Sequence, residues 1–544
     1  MNVYIFLLLI VVVVIDVLEA SSDDITKQQK SVLKNHKDIA RIKEKLGQWK
    51  NSVATKLTSS KTNHQKPTVH HLTSKRNTVG NQPITLTELN KDILNFTYQG
   101  DIVFTEKQID SLNTANGKNR RKRQASSSSF SLWTMPIPYY IDTTTVDANT
   151  KGLIEQGVAF WQNHTCLRFT ELTAPSSPCV QFIKDNGCYS YIGYTGIIQD
   201  LSIGVGCEHF GIITHEINHA LGVFHEQSRY DRDSYITIDF TNIQPASITN
   251  FNEETNTTTT NHNVPYDYGS VMHYGEADFA INPSVPNIYA KEAYQQNTMG
   301  QRFKPNFNDL LLINTHYSCL GQCTNTVKCQ NSGYQNPANC AECICPEGFG
   351  GALCDQRDSG TPNACGTTVQ ATCEWQILTG TSGNSQNQLY DFPYECWYHI
   401  EAPNGTQIEL QFQQAGGYCS FGCFYGDVEV KIANFTNSGY RWCCSDDLPN
   451  ATLYTETNLA IIGTSSRYLE QTFTVSYKIV NCTETTTTTT TTLKPTTKKP
   501  TKQPCKCCNC DESESYESES YESESYESES SEGCGRHHRH KCNC

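Results

Sequence analysis

The sequence predicts an α+β fold in two subdomains, followed by a small disulfide-rich module and a β-sandwich. Three observations carry that expectation. Thr214 to Asp233 reads T-H-E-I-N-H-A-L-G-V-F-H-E-Q-S-R-Y-D-R-D, a helical stretch ended by a glycine. Ahead of it lie a helix-like run, Val146 to Gln162, and two short apolar runs, Cys179 to Ile183 and Tyr189 to Ile192, whereas the residues behind it show little periodicity. Beyond Cys319 the cysteines crowd into a short module. They then give way to alternating segments such as Gln407 to Phe412 and Phe473 to Tyr477, as strands half buried in a sandwich require.

The helical stretch carries the chemistry. A helix turns ~100° per residue, so His215 and His219, four apart, lie one above the other and can reach one ion. Glu216 sits beside the first histidine, within reach of a water on that ion. Gly222 falls where the helix must break, at a residue free to take positive φ. The returning chain then brings His225 round as a third nitrogen ligand and leaves coordination positions for water, the open arrangement of catalytic Zn2+. H-E-x-x-H alone also occurs in helices whose histidines are only structural. The longer H-E-x-x-H-x-x-G-x-x-H is far rarer. Met272, one of four methionines in the chain, follows 47 residues after His225 in S-V-M-H-Y, Ser270 to Tyr274. Without the histidine motif this would read as an ordinary core Met-Tyr pair.

These motifs, with Glu226 after the third histidine and R-Y-D-R-D at Arg229 to Asp233, resemble the astacin family of metzincin zinc metalloproteases, in the nematode type that carries EGF-like and CUB domains. The resemblance implies a two-subdomain peptidase whose floor is the methionine turn and whose cleft lies between the halves. It implies Tyr274 as an additional weak zinc ligand that swings to the tetrahedral intermediate, and Glu226 as the anchor of a new amino terminus. Asn95 to Ile102 contains F-T-Y-Q-G-D, which resembles the prosegment motif F-x-G-D with Tyr98 in place of phenylalanine. Asp101 would then sit on the zinc before activation; read alone, Gln-Gly-Asp is an ordinary surface turn. The prosegment has no cysteine, so a thiolate switch is excluded. In the family pattern Cys188 pairs with Cys207 and Cys166 with Cys319, leaving Cys179 either a free thiol or bonded elsewhere. Cys323 to Cys354, with P-E-G-F-G-G, resembles an EGF-like module. Thirty-odd residues bury too little apolar surface to fold without disulfides. The Cys365–Cys396 pair, the Cys419, Cys423, Cys443 and Cys444 region and G-D-V-E-V resemble a CUB domain.

The remaining elements follow in order. Val3 to Ile15 is apolar apart from the Tyr4 hydroxyl, too short to span a bilayer and suited to the core of a signal peptide, residues 1–20. Residues 21–123 hold 20 basic against 9 acidic residues and read as a propeptide. Asn35 to Trp49 has helical spacing there, and Lys56 to Pro83 is polar and loose. The propeptide ends in Arg120-Arg121-Lys122-Arg123 before Gln124, as a site for a furin-like activating protease would; the plain alternative is a solvated charge run. The peptidase then occupies 124–320, opening with Leu132 to Ile141, the EGF-like module 321–355 and the CUB domain 365–482. Residues 483–544 form a tail of eight consecutive threonines, a Ser-Glu-Ser-Tyr-Glu repeat and flanking Cys and His residues, in which disulfides outweigh a second metal site in a secreted chain.

Twenty-six cysteines and seven N-x-S/T sequons fit a secreted, extracellular glycoprotein. After removal of the propeptide the net charge is about −23, which argues against nucleic acid as a partner. No later segment has the length of an integral membrane span. The expected function is a secreted zymogen zinc metalloendopeptidase acting on extracellular proteins. The competing class is an inactive matrix-binding protein working through its EGF-like, CUB and tail regions. Intact ligands and an intact Glu216 argue against it.

Overall fold

The computed structural model describes residues 39–60, 85–114, 132–256, 259–449 and 451–482, with backbone alone for 52–60 and 111–114. The signal-peptide stretch, the Arg120 to Gln124 cluster and the tail from 483 lie outside the described residues. Helix α1 (Ile39–Ser60) is longer than the Asn35 to Trp49 spacing suggests and runs into the stretch expected to be loose. The reason is local: no glycine or proline interrupts residues 50–60. Strand β1 (Ile102–Val103) and α2 (Glu106–Thr114) complete this part of the chain.

The peptidase opens with β2 (Ile137–Ile141), whose burial alternates along the strand. Helix α3 (Ala148–His164) starts at Asp147, whose carboxylate caps the backbone N–H groups of Asn149 and Thr150. Strands β3 (Phe169–Glu171), β4 (Cys179–Ile183), β5 (Cys188–Tyr191) and β6 (Ile198–Ile203) follow. They form one sheet in the order β1-β5-β6-β4-β2-β3, antiparallel only between β5 and β6. The segment ahead of residue 115 thus adds the outermost strand, with Ile102 beside Ser190 and Val103 beside Tyr191.

Helix α4 (Phe210–Ala220) packs between that sheet and α3 and is buried at every position. Ile154, Trp161, Phe182, Leu201, Ile213 and Ile217 form the centre of the core. Behind α4 the chain is irregular, as its lack of periodicity implies. It has one two-stranded pair, β7 (Ile236–Ile238) with β8 (Ile288–Ala290), several short 3-10 turns, and helix α5 (Phe307–His316). Its own cluster gathers Phe251, Tyr266, Tyr274, Phe279 and Met299.

Bridges join Cys166 to Cys319 and Cys188 to Cys207, and Cys179 is a buried free thiol. The disulfide-rich module pairs Cys323 with Cys340, Cys329 with Cys343 and Cys345 with Cys354 around four two-residue strands, β9 to β12, between Tyr334 and Arg357. The sandwich has two sheets. One contains β13 (Thr368–Gln370), β15 (Tyr394–Glu401), β20 (Leu459–Ser466), β17 (Gly426–Lys431) and β18 (Tyr440–Trp442), in that order. The other orders β14 (Gln376–Gly383), β21 (Glu470–Ile479), β16 (Ile408–Gly416) and β19 (Leu453–Tyr454). Along β21 burial alternates residue by residue, so Phe473, Val475 and Tyr477 face the core. Cys365 pairs with Cys396 and Cys373 with Cys482, while Cys419 joins Cys444 and Cys423 joins Cys443.

Candidate active site

Helix α4 carries His215, Glu216 and His219 on its inner turns and ends at Ala220. Gly222 then adopts φ +102°, a conformation other residues rarely take, and its N–H bonds the His219 carbonyl at 2.8 Å. The chain reverses and delivers His225 to the same place. Below it, Met272 is buried, and its carbonyl accepts the Glu226 N–H at 3.1 Å. Helix α5 holds this turn from beneath: the Asp309 carboxylate accepts the Val271 N–H at 2.9 Å and the Ser270 hydroxyl.

The three imidazoles are oriented by their far nitrogens. His215 Nδ1 donates to the Val271 carbonyl at 2.8 Å, His219 Nδ1 to the Val223 carbonyl at 2.7 Å, and His225 Nδ1 to Gln99 Oε1 at 3.0 Å. All three Nε2 atoms therefore present lone pairs inward, towards Asp101. Asp101 Oδ2 lies 3.3 Å from His215 Nε2 and 3.1 Å from His225 Nε2, and Oδ1 lies 3.5 Å from His219 Nε2. One ligand atom from each of these four residues falls within 4.8 Å of the others.

This donor set fits a zinc ion. A tetrahedral ion with bonds of ~2.0–2.2 Å separates its ligand atoms by roughly 3.3–3.6 Å, the spacing of the Asp101 oxygens from the imidazoles. His219 Nε2 and Asp101 Oδ1 are buried with no hydrogen-bond partner among the described residues. Burial pushes His215 down to about 3 and His225 down to about 4, so both are neutral near pH 7, the form that ligates metal.

Both Glu216 oxygens are buried and without a hydrogen-bond partner among the described residues. Burial, with the Asp101 charge adding to it, lifts the Glu216 carboxyl well above its usual value against a smaller opposing effect of Arg302. The Tyr274 ring lies 4.6 Å from that of His225, and its hydroxyl donates to the Gln99 carbonyl. Gly100, at φ +87°, admits the strand to the cleft: a Cβ there would lie 2.7 Å from the Phe279 ring. Tyr98 is buried against Trp49, Phe104 and Phe224, with its hydroxyl on Glu254.

Glu226, expected to anchor a new amino terminus, is buried and already has a cationic partner: Arg229 Nη1 donates to it at 3.0 Å, and the Asp267 N–H does so too. The R-Y-D-R-D motif supplies that cation three residues along, in reach of an irregular turn. Trp133, near the start of the domain, donates its indole N–H to the Ala220 carbonyl at 2.9 Å, fixing the end of α4. Arg123 and Gln124 lie outside the described residues. Sequence reasoning missed Gln99, Glu254 and Asp309. Glu254 sits in an irregular loop with no spacing signal, and Asp309 is recognisable only as the acidic residue of a capping box after Asn306.

A histidine helix, a returning third histidine and a methionine turn together define a metzincin-type, zinc-dependent metalloendopeptidase. Residues 125–318 match the family model for the astacin peptidases. Zinc metalloproteinase nas-31 of Caenorhabditis elegans is 39% identical over 413 residues, covering 73% of this chain and 66% of the relative. For nas-28 of the same nematode the identity is 37% over 411 residues, covering 74% and 82%. The chain thus spans just under two thirds of nas-31 and more of nas-28. Among solved structures, high choriolytic enzyme 1, a hatching enzyme zinc-protease from Oryzias latipes, is 38% identical over 37% of this chain and 99% of its own, with a TM-score of 0.33. The chain belongs to the astacin family.

Proposed function

We propose that the chain is a secreted, zymogenic endopeptidase for extracellular proteins, divided into signal peptide (1–20), propeptide (21–123), peptidase (124–320), EGF-like module (321–355), CUB domain (365–482) and tail (483–544). The observation that carries the reading is the meeting of three inward-facing imidazoles and an unpartnered Glu216 in one buried place. His215, His219 and His225 would hold the zinc. When bound, zinc lowers the pKa of a water to ~7 and polarises the scissile carbonyl.

The remaining work falls to the chain's own side chains. Glu216 accepts the water's proton on a carboxylate oxygen. Held on that oxygen, the proton is then passed to the nitrogen of the leaving amine. The Tyr274 hydroxyl, released from the Gln99 carbonyl, is free to donate to the oxygen of the tetrahedral intermediate. Asp101 occupies the water's place in the uncleaved chain, and cutting after Arg123 by a furin-like protease would release it. Glu216→Gln in the cleaved enzyme tests the reading: turnover of a peptide library is lost while one zinc per chain remains. Full activity in that variant refutes it.

A further inference from the structure

The methionine turn is held in part by the sandwich. Asp267, just ahead of the turn, is buried, and its carboxylate accepts the Gly269 N–H at 2.9 Å, which bends the backbone towards Ser270. The same carboxylate accepts Asn308 Nδ2 from α5 at 2.9 Å. From the sandwich it takes the Ser438 backbone N–H, 3.1 Å from one oxygen and 3.3 Å from the other. Asn437 adds to the contact: its Oδ1 accepts Asn308 Nδ2 at 3.1 Å, and its Nδ2 donates to the Tyr266 carbonyl at 3.2 Å. Asn306, the residue that caps α5, donates from Nδ2 to Ser438 Oγ at 3.2 Å. The approach is close enough that a Cβ on Gly269 would collide with the Ser438 hydroxyl.

From Asp267 the histidines are two short steps away. Its carbonyl accepts the Ser270 N–H at 3.1 Å, and the next residue, Val271, offers the carbonyl that orients His215. Its own N–H donates to Glu226, whose backbone N–H is held in turn by the Met272 carbonyl directly after His225. The sandwich therefore grips both supports of the turn, the 266–269 approach and the start of α5. A buried carboxylate depends on its donors, because each one removed leaves charge without compensation. We propose that Asn437 and Ser438 are positioning residues for the zinc site: they fix the methionine turn and, through the Val271 carbonyl, keep the His215 ring in its ligating orientation. Support of a ligand by a hydrogen-bonded carbonyl tunes metal affinity, so the sandwich is a working part of the site.

The proposal rests on the reading of His215 as a zinc ligand. It is tested on the full chain by zinc competition against a chromophoric chelator, with the denaturant midpoint of each variant measured beside it. Asn437→Ala should raise the zinc dissociation constant ~2–30-fold. Ser438→Pro, which deletes the N–H that meets Asp267, should do at least as much, and Ser438→Ala, which keeps that N–H, should lose less. Phe392→Ala loosens the same join elsewhere, where its ring meets Phe210 with centres 4.9 Å apart, so it should lower the midpoint and leave zinc affinity unchanged. Unchanged zinc affinity in Asn437→Ala or in folded Ser438→Pro overturns the proposal. So does an equal loss in Phe392→Ala, which would mark general loosening of the join. Should Ser438→Pro not fold, Asn437→Ala decides alone. A parent chain that binds no zinc overturns the reading of the site as well, whereas unchanged affinity in the variants overturns this assignment alone.

Discussion

Replacing Asp101 by alanine in an uncleavable proenzyme should open the metal position without emptying the cleft. The carboxylate faces three imidazoles at 3.1 to 3.5 Å and is wholly buried. Removing one member of such a buried charged cluster typically costs ~3–5 kcal/mol, roughly 10²–10⁴ in the equilibrium that keeps the site closed. The rest of the segment stays anchored. Tyr98, Ile102 and Phe104 remain packed with Trp49 and Phe224, and each buried apolar side chain contributes ~1.5–3 kcal/mol. A small hydroxamate should therefore bind the Asp101→Ala proenzyme at least ~10²-fold more tightly than its parent. A quenched peptide substrate, which needs the whole cleft, should be cut at only a minor share of the rate of the mature enzyme. Adding Tyr98→Ala removes a buried aromatic worth ~3–5 kcal/mol and should bring peptide turnover up as well. The assay is inhibitor titration beside peptide turnover, with folding and zinc content checked in each variant. If Asp101→Ala stays folded and zinc-loaded yet binds hydroxamate no better than its parent, the carboxylate is not the closing group. If it gains full peptidase activity, the anchoring role assigned to Tyr98 and its neighbours is wrong.

Tyr274→Phe should lower kcat ~10²–10³-fold with little change in KM, because the hydroxyl is assigned to the transition state; steady-state kinetics read this directly. Glu226→Ala takes one of two carboxylates from the buried Arg229 guanidinium, which keeps Asp231 at 2.8 Å, and should cost ~1.5–3 kcal/mol, visible as a fall in denaturant midpoint whether or not the chain has been cleaved. Asp200 gives a pH signature. Burial, with the charges of Asp185 and Asp142 adding, pushes it up to about 7, whereas in the unfolded chain it titrates near ~3.9. Between these values the folded state holds the extra proton, so this group's contribution falls as pH rises and its penalty is complete above about 7. Asp200→Asn should accordingly raise Tm at pH 8 while changing it little at pH 4, and an equal effect at both would refute the assignment.

The histidine helix was legible because a metal demands side chains at fixed helical spacing, and because Gly222 marks the reversal that returns His225. The two-layer start of the peptidase was legible for a similar reason, through apolar runs such as Cys179 to Ile183. Sequence spacing fails where contacts depend on loops. Arg229 folds back on Glu226 through a turn with no periodic signature, so a carboxylate that looked uncompensated is paired. Glu254 meets Tyr98 and Gln99 from an irregular stretch 29 residues beyond His225, and no spacing in the sequence pairs it with them. Helix α1 overran its expected end because the absence of a breaker, rather than an apolar repeat, sets its length.

The sandwich does not hang from the peptidase by a thread. Phe392 meets Phe210 at the first turn of α4 with ring centres 4.9 Å apart, Arg467 donates to His209 Nδ1 at 3.2 Å, and Ser438 donates its backbone N–H to Asp267. Gly422 fits so closely over Gly300 that a Cβ would lie 2.7 Å from its carbonyl oxygen. A protease that nicks the connection between residues 356 and 365 would therefore cut the covalent thread while leaving both pieces clasped. Size exclusion would still report one particle, and only a denaturing gel would reveal two. Grafting this sandwich onto another peptidase would accordingly require copying the α4 entry and the 295–301 surface along with it, since the join is written on both partners.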